Sequence, residues 1–210
     1  MNPSILRKDI LSKGAILGGI MLAAQIADTL MRYYGGLYLI LFIALLAIVS
    51  MVIYCVFLYR FTKNYSKLVL SLRQEAPYFT YGNGLSYAVL ISMLAGVVVA
   101  IGHYILVHGI IGYENYIDTY SEFLKNAIAQ LEVLDARSDT DFSSLIDLNK
   151  QELSKIESAT EAPTLINTIV INTWGYLVTG TIVGSFVAIF TRRKLQPIKN
   201  NDEQKKQNEQ

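Results

Sequence analysis

Few side chains here are of a type that does chemistry, and those few lie in or beside long apolar runs. Asp28 is the clear carboxylate within such a run, with Gln25 one helical turn away. His103 lies near the end of a later run, and Asn167 and Asn172 lie near the start of the last. A charge at mid-bilayer costs roughly 3 kcal/mol or more, so an ionisable residue in a membrane span is a functional candidate by default. Gln25, Asp28, His103 and Asn172 come from three runs at similar depth, which permits one hydrogen-bonded intramembrane cluster. A plainer reading stands beside it. Arg32 follows Asp28 by four residues, the spacing of a local ion pair on one helix. His103 and His108 would face headgroups, and Asn172 would tie two helices together for about 1 kcal/mol. The opposite halves of the runs hold little that is polar beyond Ser50, Ser92, Thr181 and Ser185, which argues against a conducting pore in a single chain.

The usual catalytic signatures are missing. There is no CxxC, HExxH, GxSxG or phosphate-binding glycine loop. Cys55 is the single cysteine and reads as a small hydrophobe in lipid. The expectation is therefore a non-enzymatic protein with no catalytic, cofactor-binding or metal-ligating residues and no nucleic-acid partner.

The elements that would position these residues are four apolar stretches, at about 14–31, 37–59, 85–107 and 165–190. A hydrocarbon core about 30 Å thick needs about 20 apolar residues at about 1.5 Å rise each. Three stretches meet that length, and the first is interrupted by Gln25 and Asp28. Of 210 residues, 52% are hydrophobic and 17% charged, against about 25% charged in soluble domains. The chain is expected to be an all-α membrane protein of four spans, with the bilayer as its first partner.

Charge orients it. Residues 1–13, the link 60–83 and the tail after 191 hold thirteen of the eighteen Lys and Arg. The positive-inside rule puts both termini in the cytoplasm, and the expected site is the inner (cytoplasmic) membrane, multi-pass. The link at about 108–164 carries eleven Asp or Glu against four basic residues, so the extracytoplasmic side is acidic. Small residues around Ala23, Ala24 and Ala27 give a faint signal-peptide pattern. Cleavage there would leave three spans in unchanged orientation, but the helix pattern continues through to Arg32.

Small residues four apart mark close helix contacts. Ala15, Gly19, Ala23 and Ala27, with Gly14 and Gly18 beside them, mark the first span. Ala88, Ser92, Gly96 and Ala100 mark the third, and Gly180, Gly184 and Ala188 the fourth. The expectation is a bundle in which spans one, three and four meet closely and span two is more lipid-exposed. The same stripes could serve a homo-oligomer. Tyr33–Gly36 reads as a tight turn. The second helix should run on to about Arg73, Pro77 should break it, and Gly82-Asn83-Gly84 should turn the chain into span three.

The acidic link, at about 113–160, is the soluble part. Ile117, Tyr120, Leu124, Ile128, Leu131 and Leu134 share one helical face, and Leu145, Leu148, Leu153 and Ile156 form a weaker one. Asp135–Ser143 reads as the turn between them. This predicts an extracytoplasmic hairpin of two amphipathic helices between the third and fourth spans. Its apolar face would pack on itself and the bundle, or offer Ile117, Leu124, Ile128 and Leu131 to an extracytoplasmic protein partner. Its acidity disfavours adsorption to anionic lipid. Residues 1–196 thus form one membrane domain, and 197–210 read as a disordered cytoplasmic tail.

Asn2-Pro3 opens the chain before a glycine-bearing first span. Tyr81-Gly82-Asn83-Gly84-Leu85 leads into span three, and a polar helical insert precedes the last span. Pro163-Thr164, a glycine-rich final helix and Arg192-Arg193-Lys194 close it. Together these resemble a bacterial four-span integral membrane family known only as a domain of unknown function. The resemblance implies four spans and assigns no activity, cofactor or site residue. Two functions follow from the residues: an assembly or interaction module working through its acidic hairpin, or a small transporter or channel subunit active as an oligomer, with Asp28 and His103 on the path.

Overall fold

A computed structural model of the chain describes residues 3–35, 40–72, 78–137, 141–158 and 162–194. The chain is helical almost throughout. Helix α1 covers Pro3–Gly35 and α2 Ile40–Leu72. Helix α3 covers Tyr81–Tyr104 and continues as a π-helical turn over Ile105–Ile111. Helices α4 and α5 cover Tyr113–Arg137 and Ser143–Glu157, and α6 covers Leu165–Thr191. Four of these are long and apolar enough to cross a membrane: Ile5–Tyr34, Phe42–Leu70, Tyr81–Ile111 and Leu165–Thr191. They make the chain a multi-pass membrane protein. Tyr33, Tyr34 and Gly35 of the expected tight turn belong instead to the last turn of α1, while Gly36, Pro77, the centre of the 135–143 turn and the tail from 197 lie outside the described residues.

Helix α3 is the centre of the bundle. It packs against α6 on one side and α1 on the other, while α2 touches α1 and α6 more lightly. The reason is side-chain size. Along α3 and α6, Gly84 faces Ala188, Ala88 faces Gly184, Ser92 faces Gly180 and Gly96 faces Tyr176, an antiparallel register stepping by four residues on each helix. A Cβ added at Gly180 would lie 2.5 Å from Ser92 Cβ, and one at Gly184 would lie 2.9 Å from Ala88 Cβ. Lipid tails are as apolar as leucine, so association rests on this close approach rather than on hydrophobic exclusion. Tyr54 of α2 reaches in to bond Ser92 Oγ at 2.7 Å.

Two expectations about glycine are corrected. On α1 the buried stripe is Gly14, Leu17 and Gly18, whereas Ala15, Gly19 and Ala23 are exposed. A Cβ at Gly14 or Gly18 would come 2.7 Å from Leu94 or Val98 Cβ, and one at Gly19 would meet nothing within 4 Å. The two stripes are one residue apart, about 100° around the helix. Both have small residues, and Leu22 over Gly102 favours the first by completing its ridge. Gly82-Asn83-Gly84 is not a turn before span three but the first turn of α3. Thr80 caps it, with Oγ1 accepting from the Asn83 amide at 3.3 Å, which satisfies an amide left free at a helix start.

At the end of the bundle away from α4 and α5, a two-residue strand β1 (Tyr78–Phe79) pairs antiparallel with β2 (Arg193–Lys194). Nearby, Tyr65 stacks on Tyr87 at 3.9 Å, and Tyr87 donates to Asp9 Oδ2 at 2.8 Å.

Helices α4 and α5 form the expected hairpin and lie against the other end of the bundle. The buried face of α4 is Phe123, Leu124, Ala127 and Ile128. Phe123 and Leu124 pack with Ile43 of α2, Met31 of α1, and Leu153 and Ile156 of α5. The single face drawn from the sequence is therefore too narrow. Phe123 and Ala127 belong to it, and Leu134 at 49% exposure does not, because α4 contacts both a partner helix and the bundle. The loop is tied by Asp135 Oδ1 accepting from the Phe142 amide at 2.7 Å.

Candidate functional site

The polar residues gather where the hairpin meets the bundle. Asp28 and Arg32 lie one turn apart on α1 and pair at 2.9 Å. Both side chains are about three-quarters buried (24% and 28% exposed). Arg32 also donates to Tyr120 Oη of α4 at 3.4 Å. Its guanidinium lies 5.7 Å from the Tyr120 ring centroid and 5.8 Å from that of Phe123. A planar, weakly hydrated cation suits this mixed carboxylate and aromatic setting in a way that lysine would not. Tyr120 in turn donates to Glu152 Oε1 of α5 at 2.6 Å. One continuous chain, Asp28–Arg32–Tyr120–Glu152, thus links α1, α4 and α5.

A second chain runs beside it. Thr29 Oγ1 meets His103 Nε2 of α3 at 3.3 Å. His103 stands edge-on to Tyr116, which stacks on Tyr120, which stacks on Phe123. The π-helical turn begins at Ile105, two residues after His103. It is a widened helix of a kind often found at functional sites. It ends at Gly112 with φ +89°, a backbone state that glycine adopts without steric cost, and there the chain turns into α4. Within it, His108 is stacked between Tyr104 at 4.0 Å and Tyr113 at 5.0 Å. Both His108 ring nitrogens are shielded from solvent and have no hydrogen-bond partner among the described residues.

Outside the spans the electrostatics follow from burial. Burial pushes the Tyr120 phenol up, and its bond to the Glu152 carboxylate pushes it further, against the opposing Arg32 charge. Burial likewise raises Tyr116, with Arg32 opposing. Both phenols therefore stay neutral donors at ordinary pH. On the hairpin surface, Lys125 pairs with Glu157 at 2.8 Å and Lys150 with Glu132 at 2.7 Å. Each pair is about half exposed and contributes little.

Of the four residues proposed as one intramembrane cluster, Asp28 and His103 sit at this joint, through Arg32 and Thr29. Gln25 is half-buried on the same helix and joins none of these bonds. Asn172 donates to the Thr168 carbonyl of its own helix at 2.9 Å and lines a separate cleft. Of the proposed interaction face, Leu124 and Ile128 are buried, while Ile117 and Leu131 are half-exposed. From the sequence Tyr120 reads only as part of the apolar face of α4, and Phe123 and Glu152 are not singled out. Arg32 was visible only as a local partner of Asp28, because its contacts to α4 span 88 residues of sequence. A signal was nonetheless present: Tyr113, Tyr116, Tyr120 and Phe123 recur at helical spacing.

Among the described residues, no group of three or more His, Cys, Asp or Glu side chains is placed to hold a metal ion. No curated protein and no solved structure matches the chain. The family model described as "Protein of unknown function (DUF4199)" matches residues 13–193. That stretch takes in the joint, the hairpin and the greater part of all four spans, and the chain belongs to that family.

Proposed function

We propose that this protein is a non-enzymatic, membrane-anchored interaction module of a bacterial inner membrane. The bundle holds the acidic α4–α5 hairpin on the extracytoplasmic face, and the hairpin engages a protein partner there. The observation that carries this reading is the Asp28–Arg32–Tyr120–Glu152 chain. It ties both hairpin helices to a membrane helix, so the hairpin is a fixed extension of the bundle. The side assignment rests on the thirteen basic residues of segments 1–13, 60–83 and 192–210. The surface on offer is a groove between α4 and α5 lined by Ile117 and Ile156, with Asp118 and Glu122 as its unpaired acids and Glu157 already paired with Lys125. Acidic groups beside an apolar lining suit a basic, amphipathic partner segment.

Reporter fusions after Gly36 and at Asp139 should both read as extracytoplasmic. A photoreactive residue replacing Ser121 should crosslink one reproducible partner in native membranes. Asp118→Lys with Glu122→Lys should abolish that crosslink, and Asp28→Asn should leave the groove's chemistry unchanged. An internal fusion signal, or a crosslink indifferent to charge reversal, would remove the reading.

One observation favours a transporter subunit as the second reading: His103 precedes and His108 lies within a π-helical turn, near the Asp28–Arg32 pair. That reading expects ion or proton flux in vesicles, lost in His103→Ala and insensitive to charge reversal on the hairpin.

A further inference from the structure

A cleft of ≈ 380 Å³ opens between α1, α2 and α6, within the membrane-spanning lengths of all three. Its wall is mostly apolar, from Met21, Ala47, Met51 and Ile171, with Gly175 at its base. A Cβ added at Gly175 would meet nothing within 4 Å. This glycine is therefore unlike Gly180 and Gly184 on the same helix, which admit a neighbouring helix. Here the space is left open.

The polar groups in the cleft are the second observation. Asn172, Tyr176 and Thr179 lie at i, i+4 and i+7 on one face of α6, and all three line it. The two hydroxyls that α2 brings to the cleft are already bonded, Ser50 to its own Leu46 carbonyl at 2.6 Å and Tyr54 to Ser92 Oγ at 2.7 Å, and Ser92, Thr181, Ser185 and Thr191 elsewhere in the spans each donate to the carbonyl four residues back. The Tyr176 and Thr179 hydroxyls make no such bond and have no hydrogen-bond partner among the described residues. Asn172 uses only its amide nitrogen, leaving Oδ1 free. An unsatisfied polar group in hydrocarbon costs several kcal/mol, so a cleft at this depth with two hydroxyls and a carbonyl unpaired calls for a partner that brings donors and acceptors.

We propose that this cleft binds a neutral amphiphile: one hydrocarbon chain along the apolar wall, with an uncharged hydrogen-bonding head against Asn172, Tyr176 and Thr179. No charged side chain lines the cleft, so an anionic or zwitterionic head would find no counter-charge. Tyr176 lies eleven residues into α6, about 16 Å from its start at the helical rise. A phospholipid head stays at the surface of a hydrocarbon core about 30 Å thick, whereas a neutral head can sink to that depth. The volume falls in the range of small-molecule sites, about 300–1,000 Å³. The inference is independent of the hairpin reading.

The test is photolabelling of the full chain in phosphatidylglycerol–phosphatidylethanolamine nanodiscs. The probe is a monoacylglycerol carrying a mid-chain diazirine. Adducts mapped by mass spectrometry should concentrate on α2 near Met51 and on α6 between Asn172 and Thr179. Excess unlabelled monoacylglycerol should compete, and lysophosphatidylglycerol should not. Gly175→Phe starts where an added Cβ meets nothing within 4 Å, puts its ring into the cleft and should cut this labelling about tenfold. Gly19→Phe, at a position whose added Cβ also meets nothing within 4 Å but outside the cleft, should leave it unchanged. Tyr176→Phe keeps the ring and removes the hydroxyl, and should reduce labelling several-fold relative to a chain-only diazirine alkane. Labelling spread evenly over the lipid-facing surface, or unchanged in Gly175→Phe, would overturn the proposal. So would a wild-type dimer in native mass spectrometry that Gly175→Phe dissociates, since a second copy would then occupy the cleft.

Discussion

The α3–α6 seam and the α1–α4 joint solve the same problem with opposite chemistry. The seam is built from Gly84, Ala88, Ser92, Gly180 and Gly184, and nothing charged enters it. The joint is built from Asp28, Arg32, His103, Tyr116, Tyr120 and Glu152. In the spans, apolar contact does not discriminate protein from lipid, so shape alone selects the neighbour. At the end of the bundle, aromatic rings and a largely buried ion pair can do so, because part of the surroundings is polar. Shape tolerates no added atoms, and a hydrogen-bonded chain tolerates no missing ones.

The sharpest way to break the comparison is to add volume to the seam. Gly180→Leu places a Cβ 2.5 Å from Ser92 Cβ. Overpacking costs about 1–3 kcal/mol, and at the upper end the midpoint of thermal unfolding in detergent should fall by roughly 6–12 °C. Gly175→Leu and Gly19→Leu add the same atoms to open space and should leave it nearly unmoved. Equal losses in all three would show that the seam is not special.

Removing charge from the joint should act locally. Arg32→Met leaves Asp28 unpaired and Tyr120 without its donor, at about 2 kcal/mol. Hydrogen exchange should then quicken across α4 and α5 while α3 and α6 stay protected. If α6 loses protection equally, the two regions are one cooperative unit.

Alkaline pH tests the joint more gently. The Tyr120 phenol is raised above its ordinary value of 10.0 by burial and by Glu152. A raised pKa in the folded state favours the protonated form. Its contribution is full below the unfolded pKa of about 10 and is lost as pH climbs from there toward the folded value. Ultraviolet titration should show a late phenol that disappears in Tyr120→Phe. The smallest effect belongs to a side-chain bond from α2 into the seam. Tyr54→Phe removes the 2.7 Å contact with Ser92 and should cost about 0.6 kcal/mol, the average for such bonds between membrane helices.

Much of the architecture was legible before folding. The four spans, the run of α2 past Tyr59 and the pair of helices in the insert follow from local hydropathy and period. The rotation of α1 was not, because Gly14–Gly18 and Ala15–Gly19–Ala23 are equally small and differ only in what they face. The start of α3 was misread because Gly82-Asn83-Gly84 has turn composition, while Thr80 supplies a cap and Gly84 yields its space to Ala188. At the joint, Asp28 and Arg32 were visible as a pair and His103 as a candidate. Tyr120 and Glu152 were not, since no local pattern ties residues 88 and 32 positions apart.

The amino-acid sequence by itself determined that this chain partitions into lipid, how many helices it forms and where its charge collects, because transfer free energy and helical period are sums over neighbouring residues. Only the tertiary structure decided which glycines are filled by a neighbouring helix and which stay open, and that Arg32 serves the hairpin as well as Asp28. Those outcomes depend on distances between segments far apart in the chain, set when all the helices pack at once.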